Sequence, residues 1–113
     1  MEIRGYGGIE EVVIERSLYR YGNRLMLNLI GIYDGIREPF ATLTVNLDTE
    51  EDISIDEAFV DVNNIPDACR FIECYELGVP TGRIARSGYC EYPLYKFDLD
   101  KIAKLEQEGR NKE

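Results

Sequence analysis

Two arginines three residues apart, Arg83 and Arg86, stand in the glycine-flanked stretch TGRIARSG, residues 81–88. Paired guanidiniums beside flexible turns suit the clamping of a carboxylate or phosphate. The stretch is not a phosphate loop, because no Gly-Lys pair occurs in it. The competing reading has these arginines paired with Asp61, Glu91 or the acidic segment upstream. A second polar group, DVNN, brings Asp61, Asn63 and Asn64 together after a short apolar run. With Arg83 and Arg86 it makes a candidate anion or ligand site, although turn formation and helix capping also explain Asn63 and Asn64. A third group is the segment DTEEDISIDE, in which Asp48, Glu50, Glu51, Asp52, Asp56 and Glu57 place six acids in ten residues. Such density suits a partner-binding face and resists burial.

Other chemistry is narrowed by composition. The 113 residues contain no His, which removes the usual general base and the Ser-His and Cys-His pairs within one chain. A pair of carboxylates at glycosidase spacing arises by chance among so many acids and signals no catalysis. Cys69, Cys74 and Cys90 match no zinc spacing and have no His to complete a set. They read as reduced thiols, at least two of them buried. No metal and no cofactor is implied, and an enzyme is not expected. Tyr89, Tyr92, Tyr95 and Phe97 form an aromatic run that resembles a stacking platform for single strands. Only Lys96 is basic within it, so core packing is expected, without direct nucleic-acid binding.

Charge is unevenly distributed. The formal net charge is −9. Residues 1–33 hold four acids and four bases; residues 34–76 hold twelve acids and two bases; residues 77–113 hold six acids and seven bases. A middle section at −10 should repel nucleic acid and attract basic surfaces. It also serves solubility.

The elements that must position these groups follow from periodicity. Length places the chain in one domain, residues 1–113. Three glycines make residues 1–8 a frayed or turn-rich start. Residues 11–21 and 25–33 read as a hairpin, the second strand central because both its faces are apolar. Asp34-Gly35 begins a turn that extends to Pro39, and residues 40–47 alternate as a half-solvated strand, with Ala41, Leu43, Val45 and Leu47 inward and Thr42, Thr44 and Asn46 toward solvent. The crossover 48–57 follows, pinned by Ile53 and Ile55, and Ala58–Val62 is a short strand. Asn64 caps a helix running to about Glu76, with Gly78 as its stop. Residues 90–97 read as a strand at an edge or carrying a bulge, because Pro93 lacks an N–H. Asp98 caps the last helix. The fold class is α+β, an antiparallel sheet of four or five strands with two helices packed on one face. No apolar run reaches the roughly 20 residues needed to span a bilayer, and no basic start precedes an apolar leader. A cytoplasmic protein acting as a monomer, with no membrane association, is expected.

The stretches PFATLTVN, EAFVDVNN and GVPTGRIARSGYCEYPLYKF resemble a family of small domains of unknown function carried on conjugative and phage-like elements of gut bacteria. The matching features are Phe40-Ala41-Thr42, Phe59-Val60-Asp61 with Asn63-Asn64, Pro80 to Arg83, Arg86-Ser87-Gly88, and Tyr92 to Tyr95. They cover about residues 38–102. The resemblance implies no enzyme activity. It does imply an anti-CRISPR protein, an inhibitor of a type II CRISPR effector nuclease. It carries no functional residues with it. The acidic face fits such a target independently, since these nucleases hold nucleic acid in a positively charged channel. The alternative is a ligand- or peptide-binding accessory module of a conjugative element, using Asp61, Asn63, Arg83 and Arg86.

Overall fold

A computed structural model describes residues 1–47 and 52–111. The α+β class holds, with antiparallel strands and helices; among the described residues there are two helices and eight strands, which fall into two sheets of four. The first sheet has the order β1 (Glu2–Gly5), β2 (Gly8–Leu18), β3 (Leu25–Tyr33) and β4 (Ile36–Thr42). Strand β3 is interior, as its two apolar faces require. Leu25, Leu27 and Leu29 are buried on one face, and Met26, Ile30 and Ile32 are half-buried on the other. The turn at Asp34-Gly35 is tighter than the sequence suggested. Both residues have positive φ, 53° and 80°, which matches the twist of a two-residue hairpin. Pairing therefore resumes at once with Tyr33 opposite Ile36, and residues 36–39 are strand.

The glycine-rich start is also strand. Ile3 is fully buried, and the Met1 ammonium and carbonyl both bond to the Val12 backbone, at 3.1 and 2.8 Å. One apolar side chain and a paired backbone outweigh the flexibility of the glycines around them.

Leu43 joins the sheets. Its N–H donates to the Leu27 carbonyl in the first sheet, while its own carbonyl accepts from Asp61 N–H of the second region. The chain turns a corner here and continues as β5 (Thr44–Val45). Alternation assigned Thr44 to solvent. The corner instead buries it, and its hydroxyl meets the Tyr19 hydroxyl at 3.1 Å and accepts from Leu27 N–H at 3.2 Å.

The second sheet runs β5, β6 (Glu57–Val60), β8 (Cys90–Phe97), β7 (Gly78–Ser87). Strand β6 divides two clusters of apolar side chains. Ala58 and Val60 face the main one; Phe59 faces a smaller one with Leu47, Tyr92 and Leu94. Strand β8, expected at an edge, lies between β6 and β7. Pro93 is tolerated because pairing with β6 ends at Leu94, so the missing N–H removes no bond on that side. The irregularity falls on the partner strand, between Pro80 and Ile84.

The helices are α1 (Ala68–Cys74) and α2 (Leu99–Arg110). Ala68, Phe71, Ile72 and Ile102 enter the main core. Asp98 caps α2 as expected, accepting from Lys101 N–H at 3.1 Å. Helix α1 starts later than expected. Asp67, not Asn64, precedes its first residue, because Asn64 is held in a turn by Asp61. Gly78 does not stop α1. Glu76 takes the positive φ there, at 53°, and Gly78 is where β7 closes on β8. A Cβ at Gly78 would lie 2.6 Å from the Lys96 carbonyl oxygen. Among the described residues, no helix is long and apolar enough to cross a membrane.

The helices close the backbone edge left open along β1 and the far part of β2. Arg4 N–H donates to Asp67 Oδ2 at 2.8 Å, Glu2 N–H to the Tyr75 hydroxyl at 2.6 Å, and Arg16 N–H to Glu106 Oε2 at 2.8 Å. Side chains from α1, α2 and their flanks thus stand in for a missing strand.

Candidate functional site

Strands β1 and β4 are the outer strands of the first sheet, yet they approach each other. A Cβ at Gly5 would lie 3.2 Å from the Phe40 ring and 3.6 Å from Glu10 Cγ. The sheet is curled, and the gap between its outer strands opens as a cleft of about 910 Å³. The β1–β2 turn supplies Tyr6, β4 supplies Phe40 and Thr42, and the turn 61–67 supplies Asp61, Ile65 and Asp67. The volume lies within the usual range for ligand sites, and the walls are mainly apolar with a few polar groups.

Each polar group has a definite setting. The Asp61 carboxylate is buried and accepts from Asn64 N–H at 3.2 Å and from its side-chain amide at 2.8 Å. Asp67 takes two hydrogen bonds from the Arg70 guanidinium, both 2.6 Å. The Arg70 hydrogen bond, joined by the Arg4 backbone N–H and the charges of both arginines, holds Asp67 below the usual carboxylate range against the opposing effect of burial. Tyr33 lies near Glu10. Partial burial first, then the Glu10 hydrogen bond and charge, push its phenol upward.

The six acids of the crossover divide. Asp48, Glu50 and Glu51 lie outside the described residues. Asp52 is exposed. Asp56 and Glu57 belong to the fold: the Asp56 carbonyl accepts from Phe97 N–H at 2.7 Å, and Glu57 Oε1 accepts from Ser54 N–H at 2.7 Å. Ile53 packs on the smaller cluster, whereas Ile55 is exposed. The downstream half of the crossover is thus tied to the core.

The four residues of the candidate anion site are spread over the second sheet. Asp61 follows β6, and both arginines lie on β7 with β8 between. Two strand spacings, about 10 Å, separate the lines on which they sit. Arg86 pairs with Glu91 at 2.6 Å across the hairpin, with both side chains exposed. Arg83 sits in the β7 irregularity, its backbone N–H donating to Thr81 Oγ1 at 3.1 Å. Asn63 lies beside Tyr92 instead. Burial, reinforced by Cys90 and the Asp61 charge, raises the Tyr92 phenol, and the Asn63 hydrogen bond opposes this. The cleft receives Asp61 and Asn64 but neither arginine.

The cysteines are free thiols: Cys69 and Cys90 half-buried, Cys74 exposed. Among the described residues no His, Cys, Asp or Glu cluster can hold a metal ion. Sequence reasoning missed Tyr6, Glu10 and Phe40 as cleft residues. The available signal was Tyr6 among three glycines, an aromatic residue where no core is available to it.

A family model described as a domain of unknown function, DUF4313, matches residues 13–113. The chain belongs to this family. The match runs from the middle of β2 through α2, so all of the second sheet and the turn 61–67 lie inside it, while β1, the β1–β2 turn with Tyr6, and the first half of β2 with Glu10 precede it. No curated protein and no solved structure matches the chain.

Proposed function

We propose that this domain is a non-catalytic inhibitor that binds a basic protein surface through its acidic middle section. The target in this reading is a type II CRISPR effector nuclease, and the setting is the cytoplasm of a bacterium carrying a mobile element. The observation that carries the reading is the segregation of charge, twelve acids against two bases over residues 34–76. Asp52, Glu73 and Glu76 of that section are exposed. The lysines that approach it, Lys96 at 3.9 Å from Asp56 and Lys101 at 3.6 Å from Glu76, come from the C-terminal third and only partly offset it. A nuclease channel that grips a heteroduplex through its backbone presents the complementary charge. Binding of this kind needs no turnover and no cofactor.

The test is a cleavage assay with guide-loaded nuclease, adding the protein before and after target DNA. Inhibition only when the protein is added first supports competition for the nucleic-acid surface. No inhibition by a large molar excess across several type II effectors overturns the reading. The cleft favours a second reading, a peptide-binding module. A protein that binds peptide in the cleft and inhibits no nuclease belongs to that class.

A further inference from the structure

We infer that the cleft between β1 and β4 is a receptor for an arginine side chain presented by an extended segment of a protein partner. The inference deepens the proposed function and rests on it for the basic character of the partner. The walls and the charge of the cleft select the residue type. Tyr6 is almost fully exposed at 94%, although an aromatic ring gains most from burial. Phe40 is half-buried, and both line the same cavity. Two aromatic rings lining one cavity suit a flat cation, which stacks on such rings.

The carboxylates are unequally satisfied. Asp67 is engaged by Arg70 and lies in the field of Arg4. Among the described residues neither Glu10 nor Asp61 takes part in an ion pair, and Glu10 has the neutral Tyr33 phenol beside it. Asp61 spends one hydrogen bond per oxygen on Asn64, and each carboxylate oxygen can accept a second. Two carboxylates beside aromatic walls therefore face a cavity holding one cation, Arg4.

Gly5 lets the two walls come together. It lies between Phe40 and Glu10, and a Cβ there would press on the ring at 3.2 Å. Without one, the Phe40 ring and the Glu10 stem stay close at one end of the cleft, so an aromatic surface and a carboxylate are both within reach of a guanidinium in the cavity. An ammonium has no planar face to stack, so lysine should bind less well. The β4 backbone offers a rail for the rest of the segment. Leu43 N–H bonds to Leu27, so by antiparallel alternation the backbone N–H and carbonyl of Thr42 point away from β3, toward the cleft side, while its hydroxyl donates back to Asn28 Oδ1 at 3.0 Å.

The experiment is an NMR titration of the full chain with a blocked Gly-Gly-Arg-Gly-Gly peptide, its lysine counterpart and its citrulline counterpart. Citrulline keeps the shape and removes the charge. Saturable shifts at Tyr6, Thr42 and Asn64 are expected with the arginine peptide, weaker ones with lysine, and none with citrulline. Glu10→Gln should weaken the arginine peptide about tenfold, and Tyr6→Ala about threefold. Both residues stand outside the buried core, so amide spectra of the variants should otherwise match the original. Equal binding of citrulline, shifts centred elsewhere, or unchanged affinity in Glu10→Gln overturns the inference. Peptide binding without nuclease inhibition would remove the nuclease and leave the cleft. Inhibition without peptide binding would do the reverse.

Discussion

The backbone edge beneath the helices and the edge along β7 are protected in opposite ways. Beneath the helices, Asp67, Tyr75 and Glu106 accept the N–H groups that no strand pairs. Along β7, among the described residues, no further strand pairs with the edge. Pro80, the irregularity before Ile84, and Arg83 and Arg86 make it a poor template for another strand. Val79 and Ile84 are nonetheless exposed there, at 62% and 59%. The difference shows that acids of one composition serve two ends. Asp67 and Glu106 are structural acceptors with fixed partners; Asp52 and Glu73 are surface charge. A count along the sequence merges them, although only the second kind is available to a partner.

The sharpest way to break this comparison is to remove the most buried acceptor. Glu106→Ala should cost about 3 kcal/mol in urea unfolding, because it strands the Arg16 N–H and removes the ion pairs to Arg16 and Arg110. A cost below about 1 kcal/mol would mean that water replaces the carboxylate and that the edge is not closed by it. Gly78→Ala tests the junction between the two regimes, where β7 leaves α1. The Cβ meets backbone at 2.6 Å, so a loss of about 2 kcal/mol is expected from overpacking.

Asp67→Asn should cost less, about 0.5–1 kcal/mol at neutral pH, since Arg70 is half exposed. The sign of its pH dependence is fixed. The folded carboxyl titrates below its unfolded value of about 3.9, so its stabilisation is complete above that value. It is lost as pH falls through the folded value. The original protein and Asp67→Asn should therefore converge in melting temperature only in strong acid. At the open edge, Val79→Thr with Ile84→Thr should change stability by less than about 0.5 kcal/mol per site. The smallest stability effect belongs to Glu50→Ser, Glu51→Ser and Asp52→Ser combined, where unchanged melting or a slight gain from reduced self-repulsion is expected. In the nuclease assay the same variant should associate more slowly, with a weaker salt dependence.

Much of the fold was readable from local pattern. Leu25 to Tyr33 declared a central strand by its two apolar faces, Asp34-Gly35 the place of a turn though not its two-residue length, and Asp98 the start of α2. These depend on periods of two or 3.6 residues and on φ preferences, which neighbours in sequence settle. The division into two sheets was not readable, because it depends on Leu43 bonding to Leu27 on one side and Asp61 on the other. Nothing local to Leu43 distinguishes a corner from a continuing strand, and Thr44 was placed on the wrong side for that reason.

The candidate site divides in the same way. Sequence alone determined the residue types available: no His, a middle section at −10, two arginines near a turn, and an aromatic residue among glycines. Tertiary structure decided their grouping. It set β8 between Asp61 and the two arginines, gave Arg86 to Glu91, and brought Glu10 and Phe40 together across Gly5. Composition and spacing act within a few residues, whereas the cleft arises where the outer strands of a curled sheet meet. That meeting is set by twist accumulated over four strands and by the core that all of them share.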